Sequence, residues 1–168
     1  RSGQNGVVTM ARLTKALQLV AARRALGFAT TVELQALAQD LLADDLLSTE
    51  AVLALASRDV VYLEDASKLF DEATAQLGLV RPTPDQAALT LAIEACHELL
   101  AGAHTPREAC QIIAEYSRAL DTPLECLDPF VYADSSLDDS EAFSDAELSE
   151  LHASIRDEAR GFLNDFAP

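Results

Sequence analysis

At 168 residues with a formal net charge of −16, and with only six glycines and six prolines, the chain has the make-up of an acidic protein rich in alanine and leucine, which favours helix over sheet. So large an excess of acid repels nucleic acid and anionic membrane surfaces and favours a basic partner. The charge is also uneven: residues 1–27 carry five bases (Arg1, Arg12, Lys15, Arg23, Arg24) and no acid, whereas Asp121 to Ile155 holds ten acids and no base.

Arg1 to Thr9 is polar and contains glycine, and reads as an N-terminal extension or expression remnant ahead of the only methionine, Met10. A single helical domain is expected from Met10 to Pro168. Thr9 is a candidate cap for a helix to Leu26 with Leu13, Leu17, Val20 and Ala21 on one face and Gly27 as its stop. Thr30-Thr31-Val32-Glu33 is a capping box opening a helix with Leu34, Leu37, Leu41 and Leu42. A short helix is predicted at about Thr49 to Ala56. Another is predicted over Asp59 to Leu77, with Val60, Leu63, Phe70, Ala73 and Leu77 inward and Gly78 closing it.

Thr83-Pro84-Asp85-Gln86 is a second capping box, with proline where its missing donor costs nothing. The helix it opens, about 84–101, is apolar almost all round. Gln86, Thr90, Glu94 and His97 recur at helical spacing and make one narrow polar stripe, so it is expected to be the buried central helix of a bundle, with Leu89, Ile93, Cys96 and Leu100 almost wholly covered. Gly102 ends it and Thr105-Pro106-Arg107-Glu108 caps the next helix at once, a tight antiparallel hairpin. Thr122-Pro123-Leu124-Glu125 starts a helix that Pro129 is expected to stop within a turn and a half. Ser135 to Ser140 then reads as a loop. Ser144-Asp145-Ala146-Glu147 caps a C-terminal helix with Leu148, Leu151, Ile155, Ala159, Phe162 and Phe166 at helical spacing. The whole is an all-α bundle of about six helices plus one or two short ones.

The run Thr105-Pro106-Arg107-Glu108-Ala109, then Leu127-Asp128-Pro129-Phe130-Val131-Tyr132, then Ile155-Arg156-Asp157-Glu158-Ala159-Arg160 resembles a pattern found in uncharacterised bacterial all-helical proteins. The resemblance spans about the last 60 residues and implies an all-helical fold without implying a function. Ten arginines against two lysines, with abundant alanine, also suit a GC-rich bacterial genome.

Glu94-Ala95-Cys96-His97 is a Glu-x-x-His on a helix, the spacing that brings both side chains to one metal in di-iron carboxylate bundles. Such a site needs a second Glu-x-x-His, and the sequence contains none. Cys96, Cys110 and Cys126 form no Cys-x-x-Cys; two of them lie inside apolar helical patterns, which reads as reduced, buried cysteine of a cytoplasmic protein. Asp134 to Asp145 can be laid on a calcium loop, but the position that needs glycine is Asp139. No phosphate loop, nucleophile elbow or dinucleotide fingerprint occurs, and no cofactor is implied. No uncharged run has the length of a membrane span. The reading is therefore of a non-enzymatic acidic helical protein that binds a basic protein partner, in the manner of an immunity protein, an antitoxin or an acidic secretion chaperone. Asp134, Asp138, Asp139, Glu141 and Tyr132 are its candidate contact residues. The alternative is a metal-binding enzyme or sensor built on Glu94 and His97.

Overall fold

The computed structural model describes residues 2–43, 48–57, 59–139 and 143–167, with side chains from Leu13 onward. Among them the chain is all α-helical, as composition and capping signals predict. The helices are α1 (Ser2–Ala25), α2 (Thr31–Ala43), α3 (Glu50–Ala56), α4 (Leu63–Gln76), α5 (Pro84–Ala101), α6 (Pro106–Arg118), α7 (Asp128–Asp138) and α8 (Asp145–Phe166), with a 3-10 turn at Glu125–Leu127 before α7. Where the sequence suggests one domain from Met10 onward, the contacts gather in two compact units, Arg1–Thr83 and Pro84–Pro168.

In the first unit α2 packs against α1, α3 and α4. Its buried residues Leu34, Leu37, Ala38 and Leu41 recur at three to four, one helical stripe, and meet Leu17 of α1, Val52 and Leu55 of α3 and Phe70 of α4. The α1–α2 turn is built from local chemistry. Gly27 takes φ +80°, a conformation that costs a side-chain-bearing residue energy. The predicted capping box forms: the Thr30 amide donates to Glu33 Oε2 at 3.0 Å and the Glu33 amide to Thr30 Oγ1 at 3.3 Å. The other carboxylate oxygen of Glu33 lies 2.8 Å from Arg23 Nε, and Asp71 of α4 lies 3.4 Å from Arg24. The basic end of α1 is thus matched by acids of its own unit.

Two boundaries differ from expectation. α1 reaches back to Ser2, so Thr9 lies inside the helix instead of capping it. α4 begins at Leu63, not Asp59. The Ser57 hydroxyl donates to Asp59 and accepts from the Asp59 amide, both at 3.2 Å, a local turn that competes with helix. Gln35 of α2 then donates to the Ser57 and Val60 carbonyls, each at 2.9 Å, and holds this linker non-helical.

In the second unit α5 packs against α6 and α8, and α7 against α6 and α8. α5 buries the seam Ala87, Ala88, Leu91, Ala92, Ala95, Cys96 and Leu99. Four alanines on one face let neighbouring backbones approach closely, so the bulky residues flanking the seam are left at its margins. Leu89 and Ile93, expected to be wholly covered, are half-buried, and Leu100 is 36% exposed. Apolarity all round did not mean burial all round. The Thr105–Glu108 and Ser144–Glu147 capping boxes are both complete. Phe130 of α7, 1% exposed, meets Phe162 of α8 edge to face with centroids 5.7 Å apart.

The segment around Pro129 is the largest departure. Instead of ending a helix, Pro129 sits in the first turn of α7, where no amide partner is required of it. The predicted loop from Ser135 is helical to Asp138. The Ser135 and Ser136 hydroxyls donate back to the Val131 and Tyr132 carbonyls at 3.2 and 3.0 Å, so these serines serve the helix they were expected to break. A helix over Asp134–Asp138 also has no calcium-loop geometry. Ser140 and Glu141 lie outside the described residues.

Candidate functional site

The charge is divided unequally between the two units. The first unit has ten acids against eight bases, a net of −2, whereas the second has eighteen against four, a net of −14. Nearly all the excess therefore belongs to α5–α8 and their connections.

Within that unit the base-free stretch is met by two arginines from outside it. Arg107 and Arg118 stand eleven residues apart, three helical turns, and so share one face of α6. Arg118 Nη2 lies 2.7 Å from Asp134 Oδ2. Arg107 Nη1 lies 3.4 Å from Asp138 Oδ1, and its Nη2 donates to the Leu137 carbonyl at the end of α7. Asp134, proposed above as a partner contact, is instead 7% exposed and faces α6, because it shares a helical face with buried Phe130 and Leu137. Asp138 remains at the surface with an arginine beside it. Sequence reasoning overlooked Arg107 and Arg118 because they precede the acidic stretch. The available signal was their common face, together with the four-residue spacing of Asp134 and Asp138.

Tyr132 and Asp139, two of the other proposed contacts, point away from the unit. Tyr132 is 70% exposed, and Asp139, seven residues on, is exposed on the same side of α7. Glu141 lies outside the described residues, so its position is not part of this geometry. Phe143 is 37% exposed, while Phe130 is core.

The alternative metal reading gains nothing from the geometry. His97 is exposed and Glu94 half-buried on α5. Among the described residues no three His, Cys, Asp or Glu side chains come together as a metal-binding group. Among the described residues an acid–imidazole pair does form, but it is a different one, Glu98 and His104, 2.8 Å apart at the α5–α6 turn. Cys96 and Cys110 are fully buried free thiols. Burial pushes both up to about 12, and the neighbouring Cys110 thiol and Glu158 add to the effect on Cys96, as Asp134 does on Cys110. Thiols held so far from the thiolate form are poor nucleophiles and poor ligands.

Three further titratable groups are tuned by their surroundings. Hydrogen bonds from the caps, Thr105 and Ser144 respectively, hold the Glu108 and Glu147 carboxyls below their ordinary range. His152 of α8 is pushed below the usual imidazole value by burial, then by Arg156 and Arg107. In the first unit a cavity of about 10 Å³ lies among Leu17, Leu37, Leu41, Val52, Leu55 and Phe70, room for one water and none for a metabolite. Among the described residues no helix is long and apolar enough to cross a membrane. Comparison with protein-family models, with curated proteins and with solved structures finds no match.

Proposed function

We propose that this chain is a non-enzymatic binding protein whose second unit docks a basic protein, in the manner of an immunity protein, an antitoxin or an acidic secretion chaperone. The observation that carries the reading is the charge segregation. A net of −14 on one compact unit lowers that unit's own stability by self-repulsion, and a positive partner relieves it. Arg107 and Arg118 relieve it at Asp138 and Asp134. Asp121, Glu125, Asp139 and Glu150 stay at the surface, where they steer an approaching cation. Three free cysteines suit a reducing cytoplasm, and the preference for arginine over lysine a bacterial one.

The test is to isolate whatever the tagged chain retains at low salt, identify it, and measure its association rate as salt is raised. A partner with a basic patch, whose association slows with salt and slows again when Asp121, Glu125, Asp139 and Glu150 become Asn and Gln, supports the reading. Association indifferent both to salt and to the four neutral replacements refutes it, and the charge is then a solubility device.

A further inference from the structure

We propose that the outward face of α7 is a docking strip for a basic amphipathic helix, a proposal that rests on the reading of the second unit given above. α7 buries Phe130, Asp134 and Leu137. At 100° per residue the opposite side carries Asp128, Tyr132, Ser135, Ser136 and Asp139, with Tyr132 close to its centre. Tyr132 is 70% exposed, an aromatic ring held in water by an otherwise well-packed helix. Asp128 is half-buried, and Ser135, Ser136 and Asp139 are exposed.

Hydrogen-bond chemistry decides what this face accepts. Ser135 and Ser136 donate their hydroxyl protons to the Val131 and Tyr132 carbonyls, so what they turn outward is lone pairs. With the carboxylates of Asp128 and Asp139, the strip is almost entirely acceptors around one aromatic ring. Among the described residues Arg118 pairs with Asp134 and Arg107 with Asp138, on the inner side and flank of α7. Apart from the Tyr132 hydroxyl the face offers only acceptors, which call for donors, and lysine and arginine supply donors without acceptors. The serines are also small, so a neighbouring helix can lie close beside Tyr132. A helical rise of 1.5 Å puts Asp128 and Asp139 about 16 Å apart, with Tyr132 about 6 Å from the first. The matching occupant is a helix with two cations eleven residues apart and an apolar side chain four residues from one of them, which packs on the Tyr132 ring.

The experiment uses the full chain and two alanine-based, fluorescein-labelled helical peptides of identical composition. One carries two arginines eleven residues apart with leucine between them on the same face; in the other the leucine is moved to the opposite face. The first should bind more tightly, more weakly as salt rises, and about tenfold more weakly to Tyr132→Ala. Asp128→Asn and Asp139→Asn should each flatten the salt dependence. Ser135→Lys, checked for native helix content by circular dichroism, should abolish binding by repulsion. Equal affinity for the two peptides, or binding untouched by both Tyr132→Ala and Ser135→Lys, overturns the strip while leaving a general basic-partner reading of the unit intact. If neither peptide nor free polyarginine binds at low salt, both readings fall.

Discussion

Asp134 is 7% exposed, whereas Arg118, 2.7 Å away, keeps more than half of its side chain in solvent, and this asymmetry ranks three substitutions. Arg118→Ala leaves a buried carboxylate without its partner. An unsatisfied buried group costs about 1–3 kcal/mol and a charge more, but the Asp134 side chain keeps some contact with water, so the expected loss is about 2 kcal/mol. Asp134→Ala removes the buried charge itself and returns the guanidinium to water it already touches. The hydrogen bond lost is worth about 1 kcal/mol, and alanine's higher helix propensity gives back about half of that. Removing the exposed partner should therefore cost more than removing the buried one. The double variant should resemble Asp134→Ala alone, a coupling of about 1–2 kcal/mol between the sites. Urea titrations at neutral pH followed by circular dichroism measure all three against the parent. Additive losses, or an Arg118→Ala no worse than Asp134→Ala, would show that Asp134 is solvated and that the α6–α7 ion pair does not hold the unit together.

Phe130→Ala, which empties a sealed site against Phe162, should cost about 3–5 kcal/mol in the same titration, while Ile93→Ala on half-buried ground should cost about 1–2 kcal/mol. Equal losses would return α5 to the fully enclosed position its composition suggests. Thr105→Ala should cost about 1 kcal/mol, since it leaves the Glu108 amide without the threonine hydroxyl that now accepts from it. His152, whose folded value is depressed, binds a proton more readily in the unfolded chain. It therefore contributes stability above about pH 6.5 that is lost as pH falls through its folded value. His152→Gln should flatten that part of the stability–pH profile, and an unchanged slope would mean that burial, Arg156 and Arg107 together do not hold the proton off His152. In the native chain a thiol reagent should label only Cys126, which is half-buried, whereas Cys96 and Cys110 should react only after unfolding; prompt reaction of either contradicts their burial.

Local rules carried most of the secondary structure. The boxes at Thr30, Thr105 and Ser144, the positive-φ glycines 27, 78 and 102, and the three-to-four spacing of Leu34, Leu37 and Leu41 each depend on residues within a turn of one another, and are readable in order along the chain. Where a residue's role depends on its neighbours in space, the sequence misled. Pro129 breaks or starts a helix according to which side continues, and Ser135 and Ser136 favour a turn or a helix according to whether packing on Phe130 and Leu137 keeps the chain coiled. The same holds for the candidate site. Ten acids without a base are visible in the sequence, and so is the preference for a positive partner, because net charge adds without regard to position. Only the packing of α6 against α7 assigns Asp134 and Asp138 to Arg118 and Arg107 and turns Tyr132 and Asp139 outward. An ion pair between helices is set by which faces meet, and that is decided by the apolar side chains on the opposite side of each helix.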